Sequence, residues 1–338
     1  MVYEFASAEH SGDRKEQQDR VVVMSHPRDA NFVLAVVADG MGGHTGGALA
    51  SQAVIDAIEP VFAGCEPGAG APQDWLGRMV QAGHERVARA GQGFNRDPRS
   101  TCIVALAQPG RIDWAHCGDS RLYLMRQNAF VSRTEDHSLV EVLQQQGKIT
   151  EAEALVHPER SKLFTSLGGP DAPQVAMGGL SEPKLRDTVL LCSDGLWAYF
   201  RPQEIADLTS YRDLTSACDR LIGLARKRAG GNGDNLSIAM IRLPGPLNKP
   251  GLLSTWFGIG ARIVIPSPLE DARRFVIKYL RAVMGPGADE LCGQMESCKS
   301  VEDFAARLPR CTKVVEGLGG QEKATLFSQR ALGLLEET

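Results

Sequence analysis

Two apolar runs in this chain each end on an Asp-Gly pair: Val33 to Ala38 leads into Asp39-Gly40, and Val189 to Ser193 leads into Asp194-Gly195. Runs of Val, Leu and Ala bounded by glycine predict strands buried on both faces. An Asp at the end of such a strand stands where packed backbone meets water. The pattern recurs, because Cys117-Gly118-Asp119-Ser120-Arg121 follows the strand-like Arg111 to His116, Gly233-Asp234-Asn235 leads into Leu236 to Ile241, and Asp19 precedes Val21 to Met24. Converging carboxylates with few cationic neighbours repel one another, so a site made of them is stable around hard divalent cations. A metal site with oxygen ligands, for Mn²⁺ or Mg²⁺, is therefore expected. No His-x-x-x-His or Cys-x-x-Cys spacing supports zinc held by nitrogen and sulfur. Two ions bridged by one Asp can lower the pKa of a shared water and clamp a phosphoryl oxygen during in-line attack, which is phosphate-ester hydrolysis. Arg14, five residues before Asp19, is the natural phosphate clamp, since a planar guanidinium donates two parallel hydrogen bonds.

The rest of the chain reads as one large domain and one small one. With 338 residues and a formal charge of −4 it has no basic excess for nucleic acid or anionic lipid. Met1 to Glu9 carries no basic, then apolar, leader, so a cytoplasmic protein is expected. Several of the eight cysteines (Cys102, Cys117, Cys192) fall in apolar strand-like runs, as reduced core thiols do. Gly46 to Glu59, Trp75 to Val87 and Leu214 to Arg228 show helical stripes. Thr101 to Arg133 reads as an antiparallel meander, which argues for a layered α+β domain rather than a doubly wound sheet. Ser138 to Arg160 is a polar, helical excursion with a capping box at Thr150-Glu151-Ala152-Glu153. Pro244-Gly245-Pro246 and Lys249-Pro250-Gly251 mark a boundary, so residues 1–244 form the main domain, 245–266 a linker and packed tether, and 267–338 a small helical domain. Ser267-Pro268-Leu269-Glu270 is a helix start, Phe275 to Val283 a core stripe, and further helices begin at Ser300 and Gln321.

Six segments taken together carry a family resemblance: Arg14-x-x-x-x-Asp19, Asp39-Gly40-Met41-Gly42-Gly43-His44, Gly118-Asp119-Ser120-Arg121, Asp136-His137-Ser138, Ser193-Asp194-Gly195 and Gly233-Asp234-Asn235. From about Phe5 to Leu243 the chain resembles a metal-dependent type 2C Ser/Thr protein phosphatase of bacterial type. The resemblance implies an α-β-β-α four-layer sandwich followed by the small all-α domain, and two divalent cations in a cleft at the sheet edges. It implies that Asp39 bridges the metals, the Gly40 carbonyl serves one, Asp194 and Asp234 complete the other, Asp19 holds a metal-bound water, Asp119 serves a third metal, and Arg14 binds substrate phosphate. Ser138 to Arg160 matches the flap. The sequence departs from the pattern at Gln17 and Gln18, at Met41 in place of a histidine, at Pro98-Arg99-Ser100-Thr101, and at Ala198, where many members carry a third-metal Asp.

The expected activity is hydrolysis of phosphoserine and phosphothreonine in proteins by a water or hydroxide bridging two metals, a signalling role opposing a bacterial Ser/Thr kinase. The competing reading is a catalytically weak, phosphatase-like module that binds phosphoproteins or a kinase. The helical tail faintly resembles docking modules of bacterial signalling proteins and is expected to dock a protein partner. His44, His116 and His137 are read as structural, and Cys292, Cys298 and Cys311 as core.

Overall fold

The fold is given by a computed structural model, which describes residues 3–42, 45–91, 97–210, 213–243, and 272–336 except 274, 278, 281–283, 285–287 and 299. The chain divides into two compact units, Met1–Asn248 and Lys249–Thr338. The linker 245–266, the helix start at Ser267, Gly43, His44 and Val283 lie outside the described residues.

In the first unit one sheet runs β1 (Glu4–His10), β11 (Leu236–Arg242), β10 (Thr188–Cys192), β7 (Arg121–Arg126), β8 (Ala129–Arg133). The other runs β2 (Asp19–His26), β3 (Asp29–Met41), β5 (Cys102–Gln108), β6 (Arg111–Cys117), β9 (Ala176–Ser181), with β4 (Arg99–Ser100) beside β3. Helices α1 (Thr45–Ala63) and α2 (Pro72–Gly91) pack Ile58, Leu76 and Met79 on the second sheet. On the first sheet lie α6 (Pro202–Thr209) and α7 (Leu214–Ala229), which contribute Ile205, Leu221 and Ala225. The two sheets meet face to face through Val37, Ile103, Leu191 and Ile241. The four-layer α-β-β-α sandwich is thus the observed fold.

Strand β3 shows why the sequence folds this way. Phe32, Leu34, Val36 and Ala38 face the helices, while Val33, Ala35 and Val37 face the opposite sheet. A two-residue period with both sets apolar can be satisfied only in the middle of a sandwich. Each large side chain so buried contributes about 1.5–3 kcal/mol. That supplies the rigidity to hold acidic groups together at the strand ends.

The expected meander is corrected in one respect. β5 pairs with β6 and β7 with β8, but β6 and β7 belong to different sheets. The chain crosses between sheets at Gly118-Asp119-Ser120, where Gly118 has a φ of 107° that a residue with a Cβ rarely adopts. The hydrophobic period cannot register such a crossing, because both hairpins keep alternating.

The excursion after β8 contains α3 (Leu139–Gln145) and α4 (Glu151–Leu155), and the capping box forms, with the Thr150 N–H donating to Glu153 Oε2 at 2.7 Å. Between β10 and α6 lies the single-turn α5 (Asp194–Trp197). In the second unit α8 (Asp289–Glu296), α9 (Val301–Gly319) and α10 (Gln321–Glu336) bury Cys292, Cys311, Phe304 and Phe327 together with Val276 and Leu280. Ser300 caps α9, its Oγ accepting from the Asp303 N–H at 3.2 Å. All eight cysteines are buried and unpaired by disulfides. Among the described residues no helix is long and apolar enough to cross a membrane.

Candidate active site

The alternation that builds the sandwich also aims its acids. Asp39 continues the series Val33, Ala35, Val37 onto the face between the sheets, and Asp19 lies opposite it in the β2–β3 register. Directly paired residues share a face with Cα atoms about 4.5–5.5 Å apart. Asp39 is held by its backbone: its N–H donates to Thr101 Oγ1 at 3.0 Å, and its carbonyl accepts from the Thr101 N–H at 2.8 Å and from Ser100 Oγ at 3.1 Å. Gly40 follows with no room for a side chain, since a Cβ there would lie 1.9 Å from the Gly47 carbonyl oxygen at the start of α1. The helix therefore rests directly on the Gly40 backbone.

The other sheet supplies the remaining acids. Ser193, at the end of β10, donates from Oγ to Asp19 Oδ2 at 2.6 Å and accepts from the Ser237 N–H at 3.0 Å, tying the two sheets together. Asp194 opens α5 directly after it. Asp234 precedes β11; its Oδ2 accepts from Arg14 Nη2 at 2.7 Å, in a pair whose side chains are 61% and 43% exposed. The loop carrying Arg14 is fastened by Asn235, which accepts from the Gln18 N–H at 2.7 Å and donates to the carbonyls of Ser11 and Glu16 at 2.9 and 3.0 Å. Asp13 adds a second clasp by accepting from the Gly233 N–H at 2.7 Å. Replacing Asn235 with Ala strands three backbone groups, so the variant is expected to unfold about 2–3 kcal/mol more easily in a urea titration; an unchanged midpoint would show the clasp to be dispensable.

Asp119 sits at the sheet crossing, where its carbonyl accepts from Trp197 Nε1 at 3.0 Å. Arg121 lies 3.5 Å from the centre of the Trp197 ring and makes a bidentate pair with Asp136 at 2.8 and 2.7 Å. Ala198 brings no carboxylate to this corner. His116 and His137 stack with centroids 4.7 Å apart; His116 Nε2 meets the Glu135 carbonyl at 2.9 Å, and His137 Nδ1 accepts from the Gly118 N–H at 3.2 Å. Burial pushes the His137 pKa down to about 4 and lowers that of His116 as well. Both rings are joints of the scaffold.

Electrostatically the acids behave as one cluster. Burial, followed by the charges of Asp194 and Asp234, raises Asp19 to about 7. Burial and the neighbouring Asp234 raise Asp194 to about 6, and burial holds Asp39 and Asp119 well above the usual carboxylate range, with Asp19 and Asp194 adding to the effect on Asp39. Among the described residues no three His, Cys, Asp or Glu side chains are gathered as tightly as a metal cage requires. Asp19 is turned to Ser193 and Asp234 to Arg14, the donors within their reach.

Sequence reasoning located the acids but missed what positions them. Asn235, Asp13, Ser193 and Thr101 bond to segments up to 224 positions away, as Asn235 does with Ser11, and polar residues beside a strand end carry no periodic signal of such contacts. Ser193 and Asn235 at least adjoin candidate acids, Asp194 and Asp234, which is the one available cue.

A sandwich with acids from both sheets meeting at one end is a known enzyme frame. Residues 7–232 match the family description Protein phosphatase 2C, and the chain belongs to the protein phosphatase 2C family. It is 33% identical over 233 residues to the serine/threonine protein phosphatase PstP of Mycobacterium tuberculosis, an alignment covering 66% of this chain and 43% of that protein. The chain thus spans less than half the length of that curated relative. Among solved structures, the Streptococcus agalactiae serine/threonine phosphatase superposes with a TM-score of 0.65 at 27% identity, covering 72% of this chain and all of the other. The catalytic domain of PstP in complex with two manganese ions superposes with a TM-score of 0.63 at 29% identity, covering 72% of this chain and 99% of the other.

Proposed function

We propose that the chain is a serine/threonine protein phosphatase whose divalent cations are held by Asp39, the Gly40 carbonyl, Asp194 and Asp234, with Asp19 acting through water and Asp119 serving a third, weaker position. The observation that carries this reading is that Asp19, Asp39, Asp194 and Asp234 come from two sheets to one end of a frame of this family, where burial and neighbouring carboxylate charges raise the pKa values of Asp19, Asp39 and Asp194. The donor set suits a hard cation, being all oxygen, and the mutual repulsion is what such a charge relieves. Asp234 would have to leave Arg14 to join it. When bound, the cations supply a nucleophilic water at neutral pH and offset the charge of the phosphoryl oxygens.

The chain's own residues do the rest. Thr101 and Ser100 fix Asp39 by its backbone, which sets where its side chain starts from. Ser193 holds Asp19 across the sheets, which suits it to orient a water rather than reach a cation. Arg14, once free of Asp234, presents a guanidinium to the phosphate dianion. Met41 has no proton to give, and His116 and His137 are engaged as joints, so protonation of the leaving alkoxide falls to water at the cations or to another group. Manganese as the metal, a bacterial Ser/Thr kinase as the opponent, a cytoplasmic setting and docking by the helical second unit belong to the same proposal. The binding-module alternative draws no support from the relatives, which are named serine/threonine protein phosphatases.

The test is hydrolysis of a phosphothreonine peptide with Mn²⁺, with Mg²⁺ and with chelator. Turnover that requires the cation is expected, and metal-independent turnover, or none under any condition, would overturn the reading.

A further inference from the structure

We propose that Arg226, near the end of α7, and Lys15, beside Arg14, form a cationic rim that selects phosphopeptides carrying acidic side chains next to the phosphorylated residue. The inference rests on the phosphatase reading and names its substrate class.

The last turns of α7 lead into the short loop that carries Asp234. The helix ends at Gly230 in the left-handed conformation, and Asp234 follows four residues later. Four residues span at most about 14 Å. Ala229 packs against Gly233, where a Cβ would stand 3.1 Å from the Ala229 Cβ, and Gly233 is clasped to Asp13. Arg226 stands three and four positions before Ala229 and Gly230, so it shares their helix face. His10 ends β1 at the base of the loop that carries Arg14, where its Nδ1 accepts from the Gly12 N–H at 2.8 Å, and α7 packs along β1 through Leu221 and Ala225 against Ala6 and Ala8, so the charges of Arg226 and Asp13 both act on the His10 ring.

These cations are available. Arg226 and Lys15 are exposed, and neither makes an ion pair among the described residues. Arg228, two residues on, is by contrast committed to Glu204, to the Tyr199 carbonyl at 2.7 Å and to the Phe200 ring. Of the nearby acids, Asp13 is engaged by the Gly233 N–H and Glu16 accepts from Gln18 Nε2 at 3.5 Å. A peptide whose phosphate meets Arg14 would carry side chains two to four residues away along this rim, since an extended chain advances about 3.3 Å per residue. Acidic groups there gain from the rim and stay clear of the carboxylate cluster, which the phosphate itself faces.

The experiment compares kcat/KM for two phosphothreonine peptides of one length, with Glu or with Gln flanking the phosphothreonine, in wild type, Arg226→Ala, Arg226→Glu and Lys15→Ala, all with Mn²⁺. The wild type is expected to favour the Glu peptide about five-fold at low salt, with the preference fading near about 0.5 M salt as the rim is screened. Arg226→Ala and Lys15→Ala should each cut the ratio about two-fold, and Arg226→Glu should reverse it. A cation serving only the α7 dipole would move the melting temperature and leave the ratio alone. Equal ratios in wild type and Arg226→Glu overturn the rim. Absence of turnover with both peptides and with p-nitrophenyl phosphate overturns the phosphatase reading instead, and the rim with it.

Discussion

Asp39→Asn is expected to lower phosphothreonine-peptide turnover at least about 1,000-fold, a loss of about 4 kcal/mol of transition-state stabilisation, while making the metal-free protein more stable. The two effects have opposite signs for one reason. Asp39 is pressed by burial and by Asp19, Asp194, Asp119 and Asp234, so its negative charge is a burden unless cations answer it. Asn keeps the shape and the Thr101 and Ser100 hydrogen bonds, which use the backbone, and removes the charge. The chelated variant should therefore melt a few degrees above the chelated wild type. A residue that merely props up the fold would lower both quantities, and retention of more than about a tenth of the activity would remove Asp39 from the centre of the chemistry.

Chelated protein is expected to lose stability as pH rises, opposite to the usual behaviour of salt-bridged carboxylates. A carboxyl raised in the folded state binds its proton more tightly there than in the unfolded chain, so stability is fullest in mild acid and drains away as pH climbs through the folded pKa. With Asp19 raised to about 7 and Asp194 to about 6, the window runs from about pH 4 to about pH 7. At about 1.4 kcal/mol per unit, Asp19 alone accounts for on the order of 3 kcal/mol between pH 5 and pH 8. The melting temperature at pH 8 should then lie about 6–12 °C below that at pH 5. Saturating Mn²⁺ should raise it and flatten the slope, since a cation that binds only the folded chain stabilises by mass action. Differential scanning calorimetry with and without chelator reads this directly; a pH-independent melt of the chelated protein would mean that the acids do not share one field.

The legible part of the sequence was its rhythm. β3 alternates two apolar sets and ends on Asp39, so both the double burial of the strand and the aim of the carboxylate follow from the order of the residues. The same holds for Val189 to Asp194. Partnerships between distant segments were not legible: that Ser193 would reach Asp19, that Asn235 would clasp Ser11, Glu16 and Gln18, or that Arg14 would pair with Asp234. These depend on which sheet each strand joins, and the crossing at Gly118 shows that hydrophobic period does not fix it. Arg14 is legible as a phosphate contact from its guanidinium and its place five residues before Asp19, which the family resemblance repeats, while its position against Asp234 follows from the folded loop.

The hydroxyl of Ser193 spans the seam between two layers whose interior contact is mostly hydrocarbon. A slip of one layer past the other by a single residue, which oily contacts tolerate well, would part Asp19 from Ser193 and scatter the acids. Catalytic competence should thus disappear under shear before either layer loses its own ladder of amide bonds. Hydrogen exchange followed alongside activity in dilute denaturant would see the molecule fall silent while its strands are still protected.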